Sequence, residues 1–421
     1  MGKIDELIQQ YCPDGVEYRP IWSLTAWDKK FNGIDKSKQK KVIKYNYLLA
    51  ADLKSYQVEN GTVKLLTTNI SNLYTTEDLA EDLASDGEVV AIPWGGNPIV
   101  QYYKGRFLTA DNRIATSLDT TLLNNKFLYY CMLSQMKLIA SFYRGSGIKH
   151  PEMAKVLDLE IPLPPLPVQE AIVNILDRFA VYAAELQAEL QAELQARQQQ
   201  YNYYRDTLLS FEGREDVQWK KLGDCIKSLN TGLNPRQFFK LNTDDATNYY
   251  ITIREIQHHT IVVNDGTDMM NDEALKLCNN RSNLEKGDVL FSGTGTIGEV
   301  AALEETPTNW NIKEGVYAIK PIPSIINYRF LMYILQSNSI RQAYLKKAAG
   351  GTVKSVPMGE MRKLEIPVPS LVEQQRIVDI LDRFDHLTND LSQGLPAEIE
   401  ARQQQYEYYR DQLLTFKRKE A

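Results

Sequence analysis

The sequence predicts an α+β chain in which two pseudo-symmetric mixed α/β domains are separated by a pair of long antiparallel coiled-coil helices. Three observations carry this reading. Residues 160–211 and 365–416 repeat each other without a gap, with 30 of 52 positions identical. Both copies carry apolar residues at alternating steps of four and three, the spacing of a helix that packs along another helix. The diverged segments around them instead mix short β-rich runs with one amphipathic stretch each.

Taken from the N-terminus, the chain has 421 residues, enough for two to four domains, and its 43% hydrophobic and 24% charged residues exclude wholesale disorder. The net charge of −6 means that any polyanion contact must come from local patches. Cys12, Cys131, Cys225 and Cys278 are far apart and form no CxxC, so neither a zinc knuckle nor a disulfide framework is indicated. The opening MGKIDELIQQY has acidic residues where a signal peptide needs an apolar core. Its Gly2 lacks the Ser or Thr at position 6 of a myristoylation signal, and no apolar run approaches about 18 residues, so a cytoplasmic chain is expected.

Four segments follow: a first globular domain at 1–160, a central helical spacer at 161–212, a second globular domain at 213–365 and a C-terminal helical spacer at 366–421. In the globular segments GEVVAI, TIVV, GDVLF and VYAIKP read as strands, while FLYYCMLSQMKLIASF and FLMYILQSNSIRQAYL read as one helix each. Their edges also match: SDGEVVAI at 85–92 aligns with EKGDVLFS at 285–292, and RGSGIKHPEM at 144–153 with AGGTVKSVPM at 349–358. Such repeated edges around diverged interiors suggest one scaffold presenting two different surfaces.

Each spacer opens on a proline-rich lead, EIPLPPLPVQ or EIPVPSLVEQ, in which proline suits a loop or first helical turn. Ser370 and Glu373 are spaced as a capping box. The first seam runs Val168, Ile172, Ile175, Phe179, Tyr182, Leu186, and the second Ile377, Ile380, Phe384, Leu387, Leu391. The first continues through AELQAELQAELQA, whose leucine step of four drifts around the helix. An unbroken helix over 168–211 would be roughly 66 Å long. In the second copy Gly394 and Pro396 predict a kink or break.

SGTGTIGEVAALEE places Gly293, Gly295 and Gly298 in GxGxxG spacing after a strand-like run, the dinucleotide fingerprint on paper. The matching first-half stretch, IPWGGNPIVQYYKG, reads as a turn into another strand, so a glycine-rich strand–turn–strand is expected in both. No GxxxxGK[ST] loop, NPPY or DPPY motif, HExxH or nuclease carboxylate cluster appears, and no chemistry is assigned to this chain. What remains is basic and aromatic: YYKGRF, FYRGSGIK, LNPRQFFK and AYLKKAAGGTVK mix Arg and Lys with aromatic rings and flexible glycine, groups suited to phosphate contact and base-edge reading. The candidate DNA-binding residues are Trp94, Asn97, Lys104, Arg106, Arg144, Lys149, Arg236, Thr294, Thr296, Lys346, Lys347 and Lys354, with Lys149 aligned on Lys354.

With GDVLFSGTGTIG, with GGTVKSV before LEIPVPSLVEQQRIVDILDRF, and with the paired LEIPLPPLPVQEAIVNILDRF, the chain resembles, over essentially its whole length, the DNA-specificity (S) subunit of Type I restriction–modification enzymes. That resemblance implies that each globular segment is a target-recognition domain reading one half of a split site in double-stranded DNA. It implies that the helices set the gap and dock methyltransferase (M) subunits, two of them given two equivalent copies, with restriction (R) subunits as further partners and no membrane. S-adenosylmethionine, ATP and magnesium then belong to those partners, and no cofactor to this chain. Candidate docking residues on the helices are Gln169, Asp177, Arg178, Arg197, Tyr201, Tyr204 and Arg205, and Gln374, Asp382, Arg383, Arg402, Tyr406, Tyr409 and Arg410. Two rival readings make different predictions. A coiled-coil adaptor with protein-binding heads gives no sequence-selective footprint, and an enzyme using GTGTIG binds NAD or ATP in a way lost on changing Gly295.

Overall fold

The computed structural model describes residues 2–39, 41–351, 353–389 and 395–420. By internal contact the chain divides into two units, one of Met1–Gln187 with Ala401–Ala421, the other of Ala188–Glu400. Each unit combines a globular segment with the helix that follows it and with the end of the other spacer.

In the first unit six strands form a sheet in the order Thr25–Trp27, Asn112–Ser117, Ser85–Pro93, Gln101–Thr109, Val63–Leu66, Tyr74–Thr75 among the described residues. Its pairings are antiparallel except that of Val63–Leu66 with Gln101–Thr109, which is parallel. The strand predicted at GEVVAI is central, buried along Val89–Ile92. Helix Asn125–Ser134 packs on the same core, its first turn capped by the Asn124 side chain, which accepts from the Lys126 and Phe127 amides at 2.8 and 3.1 Å.

The second unit repeats this plan around smaller sheets. Ile226–Thr231, Val316–Pro321, Val289–Ser292 and Val300–Ala302 form an antiparallel sheet, and Met269–Met270, Asn248–Ile251 and Trp310–Ile312 a mixed one in which Asn248–Ile251 runs antiparallel to the first and parallel to the last. Asn327 caps helix Tyr328–Gln336 as Asn124 does its counterpart, at 2.8 and 3.3 Å. The short pairs Tyr18–Pro20 with Glu160–Pro162 and Gln218–Lys221 with Glu365–Val368 close the two globular segments in the same way.

The single helix expected in each domain is two. One run ends at Ser134 and restarts at Met136; the other ends at Gln336 and restarts at Asn338. Ser337 is extended, buried, and donates from Oγ to the Ile334 carbonyl at 2.8 Å, so a local hydrogen bond replaces the helical one. At Gln135, which sits at φ −97°, ψ 18°, the side-chain amide reaches the Glu160 carbonyl at 3.0 Å.

The first spacer is one continuous helix, Leu166–Leu208, whose residues pass from the first unit to the second between Gln187 and Ala188. The second is described as Leu371–Asn389 and Leu395–Leu413; of the kink or break predicted at Gly394 and Pro396, Gly394 lies outside the described residues and Pro396 is the second residue of helix Leu395–Leu413. Ser370 caps its first helix through Oγ, accepting from the Glu373 amide at 3.3 Å. The Glu373 carboxylate, however, turns to Arg376 at 2.7 Å and Arg214 at 3.5 Å, so the reciprocal half of the capping box is replaced by ion pairs.

Helix pairing is antiparallel inside each unit. In the first, Glu160 meets Arg418 at 2.6 Å and Phe179 meets Tyr409 edge-on at 6.4 Å. In the second, Glu373 meets Arg214 and Phe384 stacks on Tyr204 at 5.4 Å. The repeat offset of 205 maps Phe179 onto Phe384 and Tyr204 onto Tyr409, so one contact is made twice with the partners exchanged. The seam differs from expectation at Tyr182, which is 67% exposed, because the fully buried stripe is Val168, Ile172 and Leu176, facing the globular core. In the second unit the equivalents Ile377 and Leu381 are fully buried with Val378 beside them, while the position of Val168 is taken by Glu373.

Candidate nucleic-acid interface

Both glycine-rich stretches are turns between strands. Val289–Ser292 runs through the Gly293–Gly298 turn into an antiparallel partner, Val300–Ala302, a topology that gives no helix N-terminus at which to hold a pyrophosphate. Gly293 lies against the Tyr317 ring, where any Cβ would collide. In the first unit Ser85–Pro93 passes through Trp94–Pro98 into Gln101–Thr109.

A short hairpin closes on each turn. Arg144 pairs with His150 in the first unit and Ala349 with Ser355 in the second, positions 205 apart. The Gly96 amide donates to the Lys149 carbonyl at 3.0 Å, and the Gly295 amide to the Lys354 carbonyl at 2.9 Å. Gly145 and Gly350 hold φ of 137° and 123°, with the carbonyls of Ile148 and Val353 filling the space a Cβ would need. A side chain fastens each junction: His150 Nδ1 lies 2.6 Å from the Trp94 carbonyl, and Ser355 Oγ lies 3.0 Å from Thr294 Oγ1.

The fold thus brings Trp94, Asn97, Arg144 and Lys149 into one group and Thr294, Thr296 and Lys354 into another. Asn97, Lys149, Thr296 and Lys354 are exposed. The remaining basic candidates sort by whether a carboxylate already holds them. Lys104 pairs with Glu88 at 3.3 Å, Arg144 with Glu152 at 3.0 Å and Lys347 with Glu360 at 3.3 Å, while Arg106 binds Glu77 and the Glu81 carbonyl. Among the described residues Lys149, Lys346, Lys354 and Arg236 make no ion pair. Arg236 sits on the separate turn Pro235–Phe238, which Asn234 caps, and no hydrogen bond among the described residues joins it to the second group.

Beneath the first turn lie Asp28, Lys29 and Arg113, which the motifs did not single out. The Trp94 ring is flanked by Lys29 Nζ at 5.1 Å, the Arg113 guanidinium at 4.9 Å and the His150 ring at 5.3 Å. Arg113 is anchored by the buried Asp28 at 2.6 Å, and the Tyr143 hydroxyl donates to the Pro93 carbonyl at 2.9 Å. Their separations in sequence left no local signal; only the sheet gathers them.

The candidate docking residues divide by burial. Gln169 and Gln374 are fully buried, each accepting at Oε1 from a helix-cap amide, Asn124 at 2.9 Å or Asn327 at 2.8 Å. Each also donates from Nε2 to two carbonyls, Leu122 and Pro164 or Ile325 and Pro369. Tyr201 is 2% and Arg410 7% exposed. These four offer a partner no usable surface and are corrected to internal packing residues, since their polar groups or rings are enclosed by their own unit.

Asp177 accepts from Lys126 at 2.8 Å and Tyr130 at 2.7 Å, and Asp382 from Arg329 at 2.9 Å and Tyr333 at 2.6 Å, again the same bonds twice. Burial above all pushes both phenols well above the usual tyrosine range, helped by the neighbouring carboxylates. Arg197 pairs with Glu193, Arg205 with Asp206, and Arg402 bonds Gln405. Arg178 and Arg383 are exposed at equivalent positions, Tyr204 and Tyr409 partly so, and Tyr406 is half-buried. Tyr203 and Tyr408, outside the motif-based selection, are 68% and 60% exposed.

A duplicated recognition scaffold is the class these features define: two units of one plan, each offering a glycine turn with a basic hairpin and each built on a copy of the same helix. The sequence matches the Type I restriction modification DNA specificity domain twice, over residues 34–196 and 214–401, and the chain belongs to that family. It is 32% identical over 317 residues to the EcoR124I/EcoR124II specificity subunit of Escherichia coli, covering 73% of this chain and 75% of that one. A putative type I restriction enzyme specificity subunit of Haemophilus influenzae is 32% identical over 360 residues, 81% of this chain and 86% of its own length. A structure solved in a study of complex assembly and conformational transition of the type I R-M system shares the fold, with a TM-score of 0.59 at 15% identity and 96% and 98% of the two chains covered. The chain therefore carries two target-recognition domains of the type I restriction–modification kind.

Proposed function

We propose that this chain supplies sequence recognition, and no catalysis of its own, to a type I restriction–modification complex. The domain at 1–160 reads one half of a bipartite double-stranded DNA site and the domain at 213–365 the other. The helical spacers at 161–212 and 366–421 set the gap and dock two methyltransferase subunits, so that adenine methylation, and restriction when nuclease subunits join, falls on that site. S-adenosylmethionine, ATP and magnesium act in the partners. The docking face uses the equivalent exposed pairs Arg178 with Arg383, Tyr203 with Tyr408 and Tyr204 with Tyr409. The cytoplasm is its place of action, in keeping with four buried, unpaired cysteines; no described helix is long and apolar enough to cross a membrane.

The observation that carries this reading is the pinned turn-and-hairpin, built twice on equivalent backbone with different side chains. Mapping modified adenine across the genome of cells expressing this chain with its methyltransferase, against cells lacking only this chain, tests it. A split motif of two defined blocks around a fixed gap, lost without the chain, is expected. Methylation that persists unchanged without the chain overturns the reading.

A further inference from the structure

Two recognition domains that share the backbone of one turn and hairpin but read different sequences must, at that element, place their differences in side chains. Groups that both domains keep at equivalent positions contribute the same contact to both halves of a site. Contacts common to every site are those to the sugar–phosphate backbone, while base edges differ from site to site.

The two interfaces allow this sorting position by position. Their scaffold is common: the Gly96–Lys149 and Gly295–Lys354 hydrogen bonds, the left-handed Gly145 and Gly350, and the bridges 144 to 150 and 349 to 355. On that scaffold both hairpins expose an apolar β-branched residue followed by lysine. Ile148 is 69% and Val353 59% exposed, and Lys149 and Lys354 follow them with no ion pair among the described residues. One residue beyond the pinned glycine amide the copies part company, with exposed Asn97 in the first unit and exposed Thr296 in the second.

We infer that Lys149 and Lys354 are phosphate anchors that position each domain without reading sequence, and that Asn97 and Thr296 are specificity determinants, each reading a base in its own half-site. This rests on the proposed function above and assigns the roles within it. The lysine carbonyl is held by the turn, so its ammonium reaches DNA from a backbone position locked to the reader through one hydrogen bond and one peptide link: lysine carbonyl, glycine amide, then residue 97 or 296. The anchor therefore fixes the register in which the reader meets a base. An asparagine amide presents a donor and an acceptor side by side, matching the adenine edge in the major groove, whereas threonine offers a hydroxyl and a methyl group.

The test uses the complete complex of this chain with its methyltransferase, binding a duplex that carries the mapped site and a scrambled duplex of equal length, over a salt series. Lys149→Ala and Lys354→Ala are expected to weaken both duplexes by the same factor, to reduce the salt slope by about one each, and to leave the methylated motif unchanged. Asn97→Thr is expected to weaken only the site duplex, roughly 10- to 100-fold, and to relax or change one position of one half-site with the other half intact. Thr296→Asn does the same in the opposite half. A lysine substitution that alters the motif, or an Asn97 substitution that leaves it unaltered or weakens both duplexes equally, overturns the assignment. Absence of any split motif with the unaltered chain refutes instead the function on which it rests.

Discussion

Identity between the two copies has two causes at the level of single residues, and only burial separates them. Gln169 and Gln374 align, as do Asp177 and Asp382, and a pattern so kept within one chain reads equally well as a shared docking surface or a shared internal lock. They are locks: each glutamine satisfies one helix-cap amide and two loop carbonyls that would otherwise be buried unpaired. Gln169→Leu keeps the volume and strands those three groups, at an expected cost on the order of 2–4 kcal/mol. The loss belongs to one unit, so amide hydrogen exchange is the measurement: Asn125–Ser134 and the first turns of Leu166–Leu208 lose protection while Tyr328–Gln336 keeps it. Equal protection in both would show that the bonds carry no net stability. The basic candidates teach the same lesson in reverse. Charge at Lys104, Arg106 and Lys347 was legible from sequence, but the carboxylates of Glu88, Glu77 and Glu360 that hold them come from elements distant enough to leave no local trace.

Among elements, the spacer helices were the most legible part of the chain and their partners the least. Periodicity reveals an apolar stripe but not what covers it, and here two stripes overlap. Ile172 and Leu176 face the globular core, while Phe179 turns to the other spacer, so the heptad reading runs true at Phe179 and Phe384 and fails at the exposed Tyr182. The divided helices at Gln135 and Ser337 escaped for a related reason, since neither break carries glycine or proline. The aromatic pairs make the helix pairing measurable. Tyr204 and Phe384 stack at 5.4 Å with 24° between planes, whereas Phe179 and Tyr409 meet at 6.4 Å and 67°. A double-mutant cycle of Tyr204→Ala and Phe384→Ala should return a coupling of about 0.5–1.5 kcal/mol, read as opening free energy of Leu371–Asn389 by hydrogen exchange. A coupling of zero would mean that the rings merely share a surface.

At the scale of the whole molecule, one exact sub-repeat sits in the first copy alone, at a place where it matters. The three AELQ units occupy 184–195, within the continuous helix Leu166–Leu208 and across the point, between Gln187 and Ala188, where its residues pass from one unit to the other. Under the proposed function that helix sets the gap between half-sites, and its length becomes a property of the DNA sequence recognised. Removing one AELQ unit shortens the helix by about 6 Å and turns everything beyond it by about 40° past a full turn. One base pair of B-form DNA advances about 3.4 Å and turns roughly 35°, so the rotation corresponds to about one base pair and the translation to nearly two. The expected outcome is a methylated motif whose two half-sites are unchanged and whose gap is shorter by one or two base pairs. Inserting an AELQ unit should lengthen the gap by the same amount. Because the pinned turns at Gly96 and Gly295 lie far from 184–195 in sequence and are held by contacts within their own units, neither half-site should drift. An unchanged gap with intact methylation would separate the helix from the spacing rule, and altered half-sites would show that reading and spacing are not independent.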